Sequence, residues 1–414
     1  MAHGTHPFAY RDYRLFWVSR GCTTLAQNCM VVVIGWQVYD VARRTMEPQQ
    51  AALWLGLIGL VQFAPVFLLT LVTGWVADHL DRRLIVRLCV GTQLLCAATL
   101  GAVNGLGNVS FAPLFAVAVV LGVARAFYAP AQSAISPNLV PREALPRAIA
   151  SNSIITRVGA IVGPALGGAL YAGAASLPYV VSGALFSCAL LCLLLLRPIR
   201  VAETDRSRHP WQQMVDGLHY VRQNRLVLGA ISLDLFAVLL GGATALLPIF
   251  ARDVLHIGPS GLGILRASPP VGALLAATWF TFRPLDENVG VKMLLAVAVY
   301  GAATAVFGLS RWLPLSLACL ATLGAADMFS LYVRQSLIQM STPNQMRGRV
   351  GAISSLFVSA SNELGEAESG FLAAAVGPTA AVVAGGVGAI AVAVLWARWF
   401  PMLRNAKRFD GVAG

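Results

Sequence analysis

Twelve apolar runs of about twenty residues or more, divided by short polar turns, constrain this chain more than any single motif. One set falls at roughly 14–41, 52–77, 84–106, 112–131, 147–172 and 178–196. A second falls at roughly 226–251, 260–282, 291–310, 313–338, 348–373 and 376–400. About 20 apolar residues cross a bilayer's hydrocarbon core as a helix. In lipid each backbone N–H and C=O must be bonded within its own segment, so the runs are predicted to be helices. The expected fold is an all-α membrane protein of twelve transmembrane helices. Composition agrees, with 57% apolar and 12% charged residues, where a soluble domain carries about 25% charged.

The longest polar stretch, about 197–225, lies between the two sets. The expected organisation is a six-helix bundle over 1–196, a cytoplasmic linker over 197–225, and a second six-helix bundle with a short tail over 226–414. His209-Pro210-Trp211 and the mixed charges that follow suggest a short surface helix in the linker.

The net charge of +12 raises the question of nucleic acid. Its distribution answers it, because the basic residues sit in the short loops between apolar runs. With the N-terminus placed inside, 21 Lys and Arg fall on the inner side, 4 on the outer side and 5 within spans. That is the positive-inside pattern, so both termini are predicted to be cytoplasmic in a multi-pass inner-membrane protein with no nucleic-acid partner. The seven cysteines all lie within apolar runs without CxxC spacing, which argues against a disulfide framework or a metal site. The first apolar run is too long for a cleaved signal sequence and is expected to remain as the first helix.

The turn after the second run reads Gly74-Trp75-Val76-Ala77-Asp78-His79-Leu80-Asp81-Arg82-Arg83. Small residues let helix ends approach closely. Asp78 can meet a helix N-terminus, and Arg82 and Arg83 can pair with carboxylates or anionic lipid. This turn resembles the G-x-x-x-D-x-x-x-R-R signature of the major facilitator superfamily. The resemblance implies two six-helix bundles and a cytoplasmic latch built from Gly74, Asp78, Arg82 and Arg83. The matching place in the second half, Phe282-Arg283-Pro284-Leu285-Asp286-Glu287, departs from the signature and carries no latch.

Gly159, Gly163 and Gly167 lie four apart, so one face of the fifth helix is bare, and Pro164 adds a kink. The pattern is similar to the glycine-proline motif of proton-driven exporters of the superfamily, and it equally suits plain close packing. Arg125-Ala126-Phe127-Tyr128-Ala129-Pro130-Ala131-Gln132, Pro137 through Glu143, Phe8 through Trp17 and Pro343 through Val350 resemble the branch that exports siderophores such as enterobactin and drug-like compounds.

Ionisable residues within spans are costly and become functional candidates by default. The eleventh run carries Glu363, Glu366 and Glu368, of which Glu363 and Glu366 are three apart and share a face. Two carboxylates close together in low dielectric do not both ionise cheaply, which is the property a proton site needs. Glu363, Glu366, Asp327 and Asp234 are the candidates for proton coupling. The alternative is that Arg266 or Arg334 neutralises the acids of the eleventh run as buried pairs. Arg20, Arg125 and Arg157 could draw in an anionic substrate or serve as structural partners. Tyr128 and Gln37, with Phe127, Phe236 and Trp36, are candidate cavity lining.

No Walker sequence, nucleophile elbow or dinucleotide fingerprint occurs, so no catalytic residue, cofactor or metal is expected and the energy source is read as an ion gradient. The expected function is a proton-coupled exporter of a siderophore or amphipathic drug-like compound. It would work by alternating access as a monomer, with the substrate, protons and the bilayer as its partners. Import or lysophospholipid flipping on the same fold remains an alternative. A non-transporting receptor is a further one.

Overall fold

A computed structural model describes residues 6–197, 210–283, 285, 287–343 and 346–407, and gives the backbone alone at 70, 71, 74, 75, 77–79 and 210–213. Arg200, Glu203, Asp205, Arg206, Arg208 and His209 of the linker, Asn344 and Gln345 of the Pro343–Val350 motif, and Pro284 and Asp286 lie outside the described residues. Among the described residues the fold is helical and contains no strand.

The first half runs α1 (Arg11–Ala42), α2 (Pro48–His79), α3 (Arg82–Gly105), α4 (Phe111–Ile135), α5 (Leu145–Gly173) and α6 (Leu177–Leu194). The linker helix α7 (Pro210–Gln223) follows. The second half runs α8 (Arg225–Leu240), α9 (Gly258–Phe282), α10 (Val289–Leu309), α11 (Leu313–Ser341), α12 (Arg347–Val376) and α13 (Pro378–Trp399), with a last turn at Pro401–Arg404. Among the described residues nine helical stretches have both the length and the apolarity to cross a bilayer. The other three of the twelve, α1, α9 and α12, have 32, 25 and 30 residues. At 1.5 Å per residue even 25 residues reach about 37 Å. They are more polar because α1 carries Asp12 and Arg20, α9 carries Arg266 and Pro269-Pro270, and α12 carries three glutamates.

Local chemistry sets several helix ends. Asp81 caps α3 by accepting from the Arg83 N–H. Asn224 caps α8 by accepting from the N–H groups of Leu226 and Val227 at 3.1 and 3.2 Å. Beyond α8 the chain stays coiled but changes pitch: Gly241-Gly242 ends the α-helix, Ala243–Leu246 is 3-10, and Phe250–Val254 widens to a π turn. The Tyr300 hydroxyl donates to the Gly241 carbonyl at 2.9 Å, which also accepts from the Ala243 N–H at 2.7 Å. Only a glycine fits at 242, where the backbone carbonyl of Gly365 on α12 occupies the place a side chain would take.

The chain forms two compact units. One holds Met1–Val41, Val61–Ser207 and Ile257–Ala267; the other holds Ala42–Leu60, Arg208–His256 and Ser268–Gly414. These units cross the two sequence halves, since α2 divides after Leu60 and α9 after Ala267. Pro65 lies in α2, and Pro269 and Pro270 lie in α9, each a few residues past the division.

In the first unit α3 packs on α4 and α6. α5 lies against α1 at its bare face. A Cβ at Gly159 would stand 2.7 Å from Thr24 Cγ2, one at Gly163 would stand 2.6 Å from Asn28 Cβ, and one at Gly167 would stand 2.8 Å from the Cys29 carbonyl. Next to buried Pro164, the start of α9 also packs here, with Gly263 against the Pro164 carbonyl. In the second unit α10 lies between α11 and α13, and α12 packs on α8 and on the linker helix. One core joins Leu226, Leu233, Met293, Val333, Leu337 and Trp396. A smaller one seats Val221 of α7 against Ile338, Val350 and Ile353. The Gly56 backbone of α2 crosses Gly370 of α12 in this unit, so close that neither position admits a side chain.

Candidate functional site

The second unit holds a cavity of about 270 Å³ lined by both polar and apolar groups. α8 supplies Val238 and, through its broken end, Gly241, Gly242 and Thr244. α9 supplies Pro269, Pro270 and Ala273. Tyr300 comes from α10, Gly324 and Asp327 from α11, and Asn362 and Glu366 from α12. Helix-breaking residues make the space. The Pro269 carbonyl presses on Gly324, where a side chain would not fit, so α9 and α11 meet closely at the cavity wall. Glu366 Oε1 accepts from the Thr244 hydroxyl at 3.5 Å.

Beside the cavity lies a buried ion pair between Arg334 of α11 and Asp234 of α8, which are 2% and 4% exposed. The Arg334 Nε has no hydrogen-bond partner. Asp327, two turns before Arg334 on α11, feels the charges of both Asp234 and Arg334. Asp234, Arg334 and Asp327 therefore form one electrostatic group, and Glu366 shares the cavity wall with Asp327.

Of the four candidate acids, the structure brings Asp327 and Glu366 together on one cavity. Glu366 shares its cavity with Asp327 and with Asn362, one turn earlier on its own helix, whereas Glu363 does not line it. Arg334 neutralises Asp234 rather than an acid of α12. Glu368 is half-buried and its Oε2 has no hydrogen-bond partner. Thr244, Tyr300 and Asn362 were missed. The signal for Thr244 was the Gly241-Gly242 pair interrupting an apolar run.

The candidates of the first half lie in networks. Gln37 is 1% exposed; it donates to Asn104 and accepts from the Tyr179 hydroxyl at 2.5 Å, and this ties α1 to α3 and α6. Arg20 donates to the Thr156 hydroxyl at 3.2 Å. Tyr128 is buried and accepts from Gln132. Arg125 and Arg157 are half-buried, and each has an interaction partner. Phe236 packs on Trp396 with ring centroids 5.3 Å apart and does not line the cavity.

The backbone of Gly74 and Asp78 runs in the last turns of α2, and the Asp78 side chain lies outside the described residues. Arg82 reaches the Ala134 carbonyl at 3.5 Å. Arg83 pairs with Asp81 at 2.8 Å, and Arg87 donates to the Leu193 carbonyl at 2.8 Å where α6 ends. Burial alone would raise the Asp81 carboxyl. The hydrogen bonds and charge of Arg83, joined by the charge of Arg87, outweigh it and hold Asp81 below its ordinary range.

Residues 2–410 match the family described as transmembrane secretion effector. The chain belongs to that family. This transmembrane secretion effector is 26% identical over 399 residues to the enterobactin exporter EntS of Escherichia coli O1:K1 / APEC, an alignment that covers 94% of this chain and 91% of the relative. The same figures hold for the EntS of Citrobacter koseri. Among solved structures it resembles the nucleoside transporter NupG, with a TM-score of 0.72 at 14% identity over 94% of this chain and 99% of that one. It also resembles a bacterial homolog of the human lysosomal transporter Spinster, with a TM-score of 0.71 at 18% identity over 95% and 98%. These structural likenesses establish the major facilitator fold. The effector is a multi-pass membrane transporter of a small molecule, not an enzyme.

Proposed function

We propose that this transporter exports an amphipathic, siderophore-like or drug-like compound in exchange for protons, and that Asp327 and Glu366 carry the protons. The observation that supports this reading is the cavity that both carboxylates line. Its size decides its role. Sites for drug-sized ligands usually occupy about 300–1,000 Å³, so about 270 Å³ suits ions, water and the end of a substrate better than a whole siderophore. Protonation removes negative charge from this space and deprotonation restores it. The Asp234–Arg334 pair beside it is close to neutral as a unit, so the net charge of this space turns on Asp327 and Glu366. Two halves rocking about a central site would turn that charge cycle into alternating access.

Export is supported by the similarity to proteins named as enterobactin exporters. Arg20, Arg125 and Arg157 give the first half the positive charge that an anionic compound would follow. The excess of arginine and lysine in alternate loops supports an inner-membrane orientation with both termini in the cytoplasm. Two halves in one chain are enough for the cycle, so the working unit is a monomer, with Gly74, Asp78, Arg82 and Arg83 as its cytoplasmic latch.

The test is proton flux in vesicles that enclose a pH dye, with catecholate siderophores, common drugs and lysophospholipids added in turn. One compound should drive proton movement in wild type. That movement should fall to the level of protein-free vesicles in Asp327→Asn and Glu366→Gln, and persist in Glu363→Gln. Folded wild-type protein that stays silent across the panel would overturn the exporter reading. Flux that survives in both cavity variants would move coupling away from this site.

A further inference from the structure

A second cavity, of about 410 Å³, lies in the second unit where α7, α8, α11 and the last turn of the chain meet. It is far from acidic. Its polar lining consists of Tyr220, Gln223, Asn224, Arg225 and Ser341, side chains that all carry hydrogen-bond donors, and among the described residues no carboxylate lines it. The rest is apolar: Leu226, and the thioethers of Met340 and Met402, which are 47% and 54% exposed.

The walls are built rather than incidental. The Tyr220 hydroxyl donates to the Ser341 carbonyl at 2.8 Å and ties α7 to the end of α11. Asp216 pairs with Arg349 at 2.9 Å and ties α7 to α12. Within these walls the Ser341 hydroxyl is buried and has no hydrogen-bond partner. Arg222 and Arg404, both exposed, stand nearby in the sequence, and Asp216, the acid of this helix, is already paired.

Leu226 is in the first turn of α8 and Met340 in the last turn of α11, so the cavity sits at the level where spanning helices leave the hydrocarbon. Donors and a cation beside adaptable apolar side chains suit a ligand that is anionic at one end and hydrocarbon at the other. We propose that this cavity binds the headgroup of an anionic phospholipid. The phosphate meets Arg225 and the Ser341 hydroxyl, and the acyl chains lie over Met340 and Met402. A free phosphate would meet the donors alone and leave the methionines bare.

Native mass spectrometry of the delipidated full-length protein can test this by titration with phosphatidylglycerol, phosphatidylcholine or inorganic phosphate. One phosphatidylglycerol should bind ahead of phosphatidylcholine. Arg225→Gln should weaken it roughly fivefold or more, as expected for one arginine at a charged interface. Ser341→Ala and Met402→Ser should weaken it less, and they keep the test open if Arg225→Gln does not fold. Arg398→Gln, an exposed arginine outside the cavity, should leave binding unchanged. Equal binding of the two lipids, or equal losses in Arg225→Gln and Arg398→Gln, would overturn the site. Phosphate that competes at the affinity of phosphatidylglycerol, with no effect of Met402→Ser, would overturn the lipid assignment in favour of a soluble anion.

Discussion

The two halves differ in where their central polar side chains face. In the first half most bond to one another: Gln37 joins Asn104 and Tyr179, Gln27 donates to Gln93 at 2.9 Å, and Arg20 meets Thr156, although Gln93 Nε2 and the Ser182 hydroxyl have no hydrogen-bond partner. In the second half Asp327 and Glu366 face a cavity, and the arginine beside them keeps an N–H without a partner. Polar side chains buried for packing are paired as a rule, and an unpaired one calls for an explanation. Polar side chains thus serve mainly as fasteners in the first half, while two carboxylates of the second line a cavity.

The contrast can be strained at its strongest point first. Arg334→Leu would leave Asp234 buried without a counter-charge, a loss of about 3–5 kcal/mol. Thermal unfolding in detergent should show a large drop in Tm. Arg334→Leu with Asp234→Leu should recover most of it, because an apolar pair of similar volume can replace a buried ion pair. If the double variant is no more stable than the single one, the ion pair is not the main partner of either residue.

A side chain forced into the α1–α5 contact comes next. Gly163→Leu should cost about 1–3 kcal/mol by overpacking, while Gly35→Leu, where a Cβ meets nothing within 4 Å, should be close to neutral. Equal effects would mean that the bare face of α5 is not a contact.

Gln37→Leu should cost about 1 kcal/mol in lost hydrogen bonds and leave the substrate KM unchanged. A shifted KM with unchanged stability would break the comparison, because it would move a fastener into the substrate path.

The smallest effect belongs to Asp81. Its carboxyl is held below its unfolded value, so its contribution is whole at neutral pH and is lost as pH falls through the folded value. The side chain is 47% exposed, so the gain is slight. Asp81→Asn should lower Tm slightly at pH 7, and the gap from wild type should close below about pH 3.

The twelve-helix class was legible from the run lengths, because hydrocarbon thickness turns length directly into a span. The cavity was legible only in part. Glu366 and Asp327 stood out as acids in apolar runs, but the spacing of Glu363 and Glu366 could not tell which face of α12 looks inward. That is fixed by where α8 and α12 touch, through Gly242 and Gly365. Likewise, which acid Arg334 would neutralise depended on helix rotation. Asp234 lies 100 positions away in sequence, and no local pattern links the two.

Pro65, Pro269 and Pro270 have no N–H, so the carbonyls of Val61, Leu265 and Arg266 lose their usual partners four residues on. Those carbonyls fall within two residues of the places where α2 and α9 pass from one unit to the other. A rod resists bending through its unbroken rungs, and here the rungs are missing at the border itself. Each of these helices is therefore bonded regularly on either side of a short stretch that proline leaves short of rungs.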